Sequence, residues 1–181
     1  MNDLEFIARI SHRVEQRAQG VKYSEQTIFS IRDSALQRLA DKIAADGVSY
    51  TLLQRTYSLV LSGGEVSLIG LSPTLLLSKD SQKHWYVTLP TQRFSLKKLG
   101  SITDKINPPP TPDYSFYIVH QAKLQAFDYA GTNLSGTVSL TGSYVPLLSD
   151  PVFDTSAELT DDLLDVAIDL LLMAKKETES N

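Results

Sequence analysis

Apolar residues recur at Leu4, Ile7, Ile10, Val14 and Ala18, the spacing of one face of an α-helix. Asn2 and Asp3 precede the stripe as cap candidates and Gly20 follows it as a stop, so a first helix is expected here. Ser24 is a second N-cap, with Glu25 in the first turn, and Ile28, Ile31, Ala35, Leu39 and Ile43 continue on one face up to Gly47. The short link from Gly20 to Tyr23 predicts an antiparallel or steeply crossed pair.

Past Ser49 the period changes from helical to alternating. Tyr57, Leu59 and Leu61 alternate with Ser58, Val60 and Ser62, and Gly63-Gly64 supplies the turn of a hairpin that returns through Glu65, Val66, Ser67 and Leu68. Leu75 to Leu77 and His84 to Leu89 read as a second pair around the polar turn Lys79, Asp80, Ser81, Gln82 and Lys83, with Trp85, Val87 and Leu89 on one face. Strand signals resume at Ser115 to Val119 and Leu124 to Tyr129. In LSGTVSLTGSYV, Val138, Leu140 and Tyr144 are set against Thr137, Ser139, Thr141 and Ser143, a half-buried strand. Between these runs lies NPPPTPD, Asn107 to Asp113, whose prolines remove donors and restrict the backbone, so a stiff surface loop is expected around Pro108, Pro109 and Pro110.

The closing stretch, PVFDTSAELTDDLLDVAIDLLLMAKKETESN, reads as a helix. Thr160 is the expected N-cap, Asp161, Asp162 and Asp165 occupy the first turns, and Lys175 and Lys176 suit the negative end of the helix dipole. From Leu163 to Met173 the helix is apolar around most of its circumference, which calls for cover on several sides. The order is therefore two helices, a strand block and a last helix. That order predicts an α+β fold, with a helical bundle from 1–50 and 151–181 and an inserted antiparallel β-sheet or small barrel over 51–150.

Composition narrows the function classes. The 181 residues are 42% hydrophobic and 21% charged, an ordinary globular balance. The longest apolar run, Leu170 to Ala174, is far short of the roughly 18 residues a membrane span needs. The N-terminal stretch reads as an amphipathic helix and not as a signal peptide, and a chain without cysteine has neither disulfides nor thiol chemistry. A net charge of −4 argues against a protein that grips nucleic-acid phosphates.

Catalytic chemistry finds no constellation in the sequence. His12, His84 and His120 are scattered, with no zinc-binding spacing. Gly63-Gly64 lacks the downstream Gly-Lys-Ser/Thr of a phosphate loop, and GLSPT lacks the second glycine of a nucleophile elbow. Asp161 and Asp162 are adjacent carboxylates, but neighbours on a helix point in different directions. Trp85, Tyr86, Tyr114, Phe116 and Tyr117 could stack bases, yet they lack interleaved basic residues. No catalytic residue, cofactor or metal ligand is nominated.

The layout of two amphipathic helices, a strand block with a Pro-rich loop and an acid-capped last helix resembles the head-to-tail connector, or adaptor, proteins of tailed bacteriophages. The segment SYVPLLSDPVFDTSAELTDDLLDVAIDLLL carries the likeness, a strand leading through a loop into a helix that begins near Leu159. The resemblance implies a virion structural protein of the neck, assembled in the host cytoplasm. It implies a ring of about twelve copies between the portal protein and the tail or a further neck protein, with genome DNA passing unbound through the lumen and no membrane contact. By position it places a portal contact at Lys175, Lys176, Glu177, Thr178, Glu179, Ser180 and Asn181. Tail-side loops fall at Lys79, Asp80, Ser81, Gln82 and Lys83 and at Pro108, Pro109 and Pro110. A subunit interface falls on Leu164, Ile168, Leu171 and Leu172.

Two readings from other classes stay open. A small carbohydrate- or ligand-binding β module is suggested by the Ser/Thr-rich strand from Leu134 to Ser143 and the aromatic group near Tyr114. A polymer hydrolase would need two carboxylates at a suitable separation.

Overall fold

Asn2 and Ser24 each begin a helix by turning a side-chain oxygen onto an unsatisfied backbone N–H. Asn2 Oδ1 accepts from Glu5 N at 2.9 Å and Ser24 Oγ from Thr27 N at 3.1 Å. The computed structural model describes residues 1–17, 21–46, 50–92, 94–100 and 114–179, and the protein is α+β. It divides into two compact units, Met1–Leu53 with Val145–Asn181, and Gln54–Tyr144.

In the first unit α1 spans Asp3–Arg17, α2 Glu25–Ser30 and α3 Arg32–Asp46. The expected second helix is thus broken at Ile31. Ser30 Oγ donates to Thr27 O at 2.7 Å, the side-chain competition for a helix carbonyl that bends helices. The stops expected at Gly20 and Gly47 lie outside the described residues. A 3₁₀ turn covers Tyr50–Leu53.

After a short helix α4, Val152–Thr155, the closing helix α5 runs over Ala157–Glu179. It starts a turn earlier than expected: Ser156 Oγ accepts from Leu159 N at 3.2 Å and is the cap. Thr160 sits inside the first turn, buried, donating from Oγ1 to Phe153 O at 2.8 Å and Ser156 O at 3.1 Å. α5 packs against both α1 and α3. Phe6, Ile10 and Val14 of α1, Leu36, Leu39 and Ile43 of α3, and Leu163, Ala167 and Ile168 of α5 are all buried.

In the second unit β1 (Gln54–Leu61), β7 (Gly136–Ser143) and β3 (Tyr86–Thr88) form one antiparallel sheet in the order β1-β7-β3. β2 (Glu65–Ser67), β6 (Lys123–Phe127), β5 (Phe116–His120) and β4 (Lys97–Lys98) form another, in the order β2-β6-β5-β4. The β4–β5 pair is parallel, so this sheet is mixed where a purely antiparallel block was expected.

The expected hairpin after Leu61 survives only at its tip. Gly63 (φ 60°) and Gly64 (φ 85°) make the turn and Ser62 pairs with Glu65. Beyond it the arms separate, with all eight residues of β1 on β7 and Glu65–Ser67 on β6. The longer ladder with β7 offers more pairing than a local return could. The second expected hairpin does not form either. Leu75 bridges to Tyr144, β3 pairs with β7, and the polar turn between them is a 3₁₀ helix, Ser81–His84.

The two sheets share one core. Tyr57, Leu59 and Leu61 from β1, Val87 from β3 and Val138 and Leu140 from β7 pack with Tyr117, Leu124 and Ala126 of the mixed sheet. Phe116, Ile118 and Phe127, on the opposite face of that sheet, form a second cluster with Leu99 and Tyr114. A sheet covered on both faces reads as a continuous apolar run, which is why β5 begins with three buried residues in succession.

Candidate interaction surfaces

The acids of α5 serve as cross-links between helices. Arg13 of α1 binds Asp161 and reaches Asp165 at 3.3 Å, and Arg17 reaches the same Asp165 oxygen at 2.8 Å. On another side Lys42 of α3 binds Asp162 at 2.8 Å, a hydrogen bond that holds the ammonium above its ordinary range. Asp161 and Asp162 therefore face different helices and are not a carboxylate pair. Tyr23 fastens the far end of α5 by donating to Leu171 O at 3.1 Å.

Three of the four residues expected at a subunit interface, Leu164, Ile168 and Leu171, are buried in the chain's own core, and Leu172 is half-buried. The correction follows from helix count. With α1 and α3 both against α5, the buried stripe is already covered within one chain. Near its end Met173 is 54% exposed, and its sulfur accepts from Arg38 at 3.9 Å.

Of the expected portal contact, Lys175 is helical and half-buried, and Lys176, Glu177, Thr178 and Glu179 continue α5. Ser180 and Asn181 lie outside the described residues, as do Pro108, Pro109 and Pro110.

The loop Lys79 to Lys83 is half surface and half scaffold. Lys79, Asp80 and Lys83 are exposed, and Lys83 pairs with Asp80 and holds that carboxyl below its usual range. Ser81 is fully buried and accepts from Trp85 Nε1 at 3.3 Å. Gln82 donates to Leu77 O at 2.8 Å and accepts from Lys98 at 2.9 Å. Ser81 and Gln82 thus help to build the turn.

The aromatic set does not assemble into a platform. Trp85, Phe116 and Tyr117 are buried, and Tyr86 is exposed. Near Tyr114 a smaller group does form, with the Phe94 ring 5.5 Å away and the Lys97 ammonium 3.5 Å above the Tyr114 ring.

Among the depressions lined by described residues of the helical unit are two with charged walls. One, about 310 Å³, has Asp3, Arg32, Asp33 and Leu147 in its walls, and Arg32 is neutralised by Asp3 at 3.0 Å and Asp33 at 2.8 Å. The other, about 260 Å³, is lined by Lys42, Asp46, Leu52, Glu158 and Asp162. Among the described residues no group of three or more His, Asp or Glu is placed to hold a metal ion, and no helix is long and apolar enough to cross a membrane. No protein-family model and no curated protein matches the chain.

Sequence reasoning missed the large apolar side chains left in solvent. Leu4, Phe29, Leu147 and Met173 are exposed on the helical unit, and Val60, Ile69, Tyr86 and Tyr129 on the β unit. The signal at Val60 was present, since it occupies an outward position of an alternating strand.

Proposed function

We propose that this chain is a structural assembly protein, a head-to-tail adaptor that forms a ring between the portal and the tail or next neck protein of a tailed bacteriophage. One observation carries the reading: both chain ends build a helical unit closed by α5, and the strands of the β unit are inserted between them. That is the layout on which the resemblance rests. An acidic chain also suits a lumen through which DNA slides without sticking.

The buried stripe of α5 moves the proposed ring contact outward, to the exposed residues of the helical unit such as Leu4, Phe29 and Met173. The test is the mass of the purified chain, alone and mixed with the portal protein of the same phage. A ring-sized species in either condition supports the adaptor. A chain that stays at its monomer mass of 20.0 kDa and ignores the portal overturns it.

A further inference from the structure

Strand β1 is an edge. It occupies one end of the order β1-β7-β3, and among the described residues its far side, from Gln54 to Val60, pairs with no other strand. In an antiparallel sheet alternate N–H and C=O groups of such a strand point away from its neighbour and await a partner.

Proteins blunt long edges with charged side chains, above all lysine, with proline, bulges or short strands, or by covering the edge with a helix or loop. Of the devices that lie in the strand itself β1 has only one, the charge of Arg55. Its eight residues pair one-to-one with β7, without a bulge, and QRTYSLVL contains no lysine and no proline. Arg55 is its one charge, and the outward side chains Thr56, Ser58 and Val60 are exposed, Val60 at 68%.

We propose that this edge pairs antiparallel with β1 of a second copy, joining two three-stranded sheets across a two-fold axis. The side-chain period of two restricts the register, because Tyr57 and Leu59 must stay on the core side in both copies. Two central registers satisfy this. With Tyr57 on the axis, Thr56 faces Ser58, Arg55 faces Leu59 and Gln54 faces Val60. With Ser58 on the axis, Thr56 faces Val60, Tyr57 faces Leu59 and Arg55 faces Leu61. In neither does a charge meet a like charge, so this strand is a place where two copies of a chain of net charge −4 meet without local repulsion.

The contact is isologous and closes at two copies. A single strand pair buries less than the roughly 1,200 Å² of a standard interface, so the association is weak and is read over a concentration series.

The experiment is sedimentation of the full chain from low micromolar to near-millimolar concentration, with hydrogen exchange followed at the Arg55 to Val60 amides. The expected result is a mass rising from 20.0 kDa towards two copies, with exchange in β1 slowing several-fold over the same range. Val60→Lys places a charge on an already exposed position, so it leaves the fold and melting temperature unchanged while abolishing both effects. Ser58→Lys serves as a second variant with the same expectation. A mass and exchange rate independent of concentration overturn the pairing. So does a rise in mass, to two copies or to a ring, that neither lysine variant reduces. The inference does not depend on the adaptor reading, since portal binding can fail while the β1 pair forms.

Discussion

Asn133 closes over Gly64: its Nδ2 donates to Gly63 O at 2.9 Å, and a Cβ placed on Gly64 would lie 2.5 Å from Asn133 Cβ. The turn that links the two sheets is therefore built for a residue without a side chain, at φ 85°. Gly64→Ala should lower stability by about 2 kcal/mol or more, from left-handed backbone strain together with the displaced asparagine. Gly63→Ala meets nothing within 4 Å, so it should cost about 1–2 kcal/mol from the backbone alone. Denaturant melts of the two variants check the difference.

Ile168 distinguishes a core position from an assembly position. It is fully buried within the chain, so Ile168→Ala should destabilise the dilute chain by about 2–5 kcal/mol. Met173→Ala should leave that stability nearly unchanged. If Ile168→Ala left the melt of the dilute chain untouched, the packing of α5 against α1 and α3 would be wrong.

Arg13 ties α1 to α5 through two carboxylates, Asp161 and Asp165, and is itself partly covered. Arg13→Ala should cost roughly 1 kcal/mol, and the loss should shrink in high salt because exposed ion pairs are screened. A double-mutant cycle with Asp165→Asn, run at low and high salt, measures the coupling.

Thr160 donates its hydroxyl inside the first turn of α5 to Phe153 O, in a buried setting. Thr160→Val keeps the shape and leaves that carbonyl short of a donor, at a cost of about 1–3 kcal/mol. Ser156→Ala removes the actual N-cap and should cost about 1 kcal/mol. Thermal melts of both variants test the cap assignment.

Tyr57 and Tyr117 give the β unit a sensitivity to base. Burial pushes each phenol from 10.0 up to about 12, and Tyr57 also donates to Pro73 O at 3.0 Å. In the unfolded chain both ionise near 10, so between pH 10 and 12 the unfolded state binds fewer protons than the folded one. Stability is at its full value below pH 10 and falls as pH rises towards 12. Tyr57→Phe and Tyr117→Phe should each flatten that decline in denaturant melts taken across the window.

Much of the architecture was legible because local signals act locally. The Asn2 and Ser24 caps and the alternation of Val138 and Leu140 each depend on neighbours within a few residues and appear where the pattern put them, whereas the α1 stripe holds at Ile10 and Val14 while Leu4 is exposed and Phe6 takes the buried place. The break at Ile31 was missed because Ser30 carries no visible mark that its hydroxyl will take the Thr27 carbonyl. The start of α5 was misread because Thr160 and Ser156 are both acceptable caps. The chain chose the one that leaves Thr160 free to bond back to Phe153.

The sequence by itself determined the α+β class, the order of helices around strands and the inward side of β1, β3 and β7, because periodicity and capping are properties of short segments. Tertiary structure alone decided that β1 leaves its hairpin partner for β7 and that Leu164, Ile168 and Leu171 are closed within one chain. It also left the far side of β1 without a paired strand among the described residues. Those outcomes are settled by competition among distant segments for the same hydrogen bonds and the same apolar surface, and no local pattern records which segment wins.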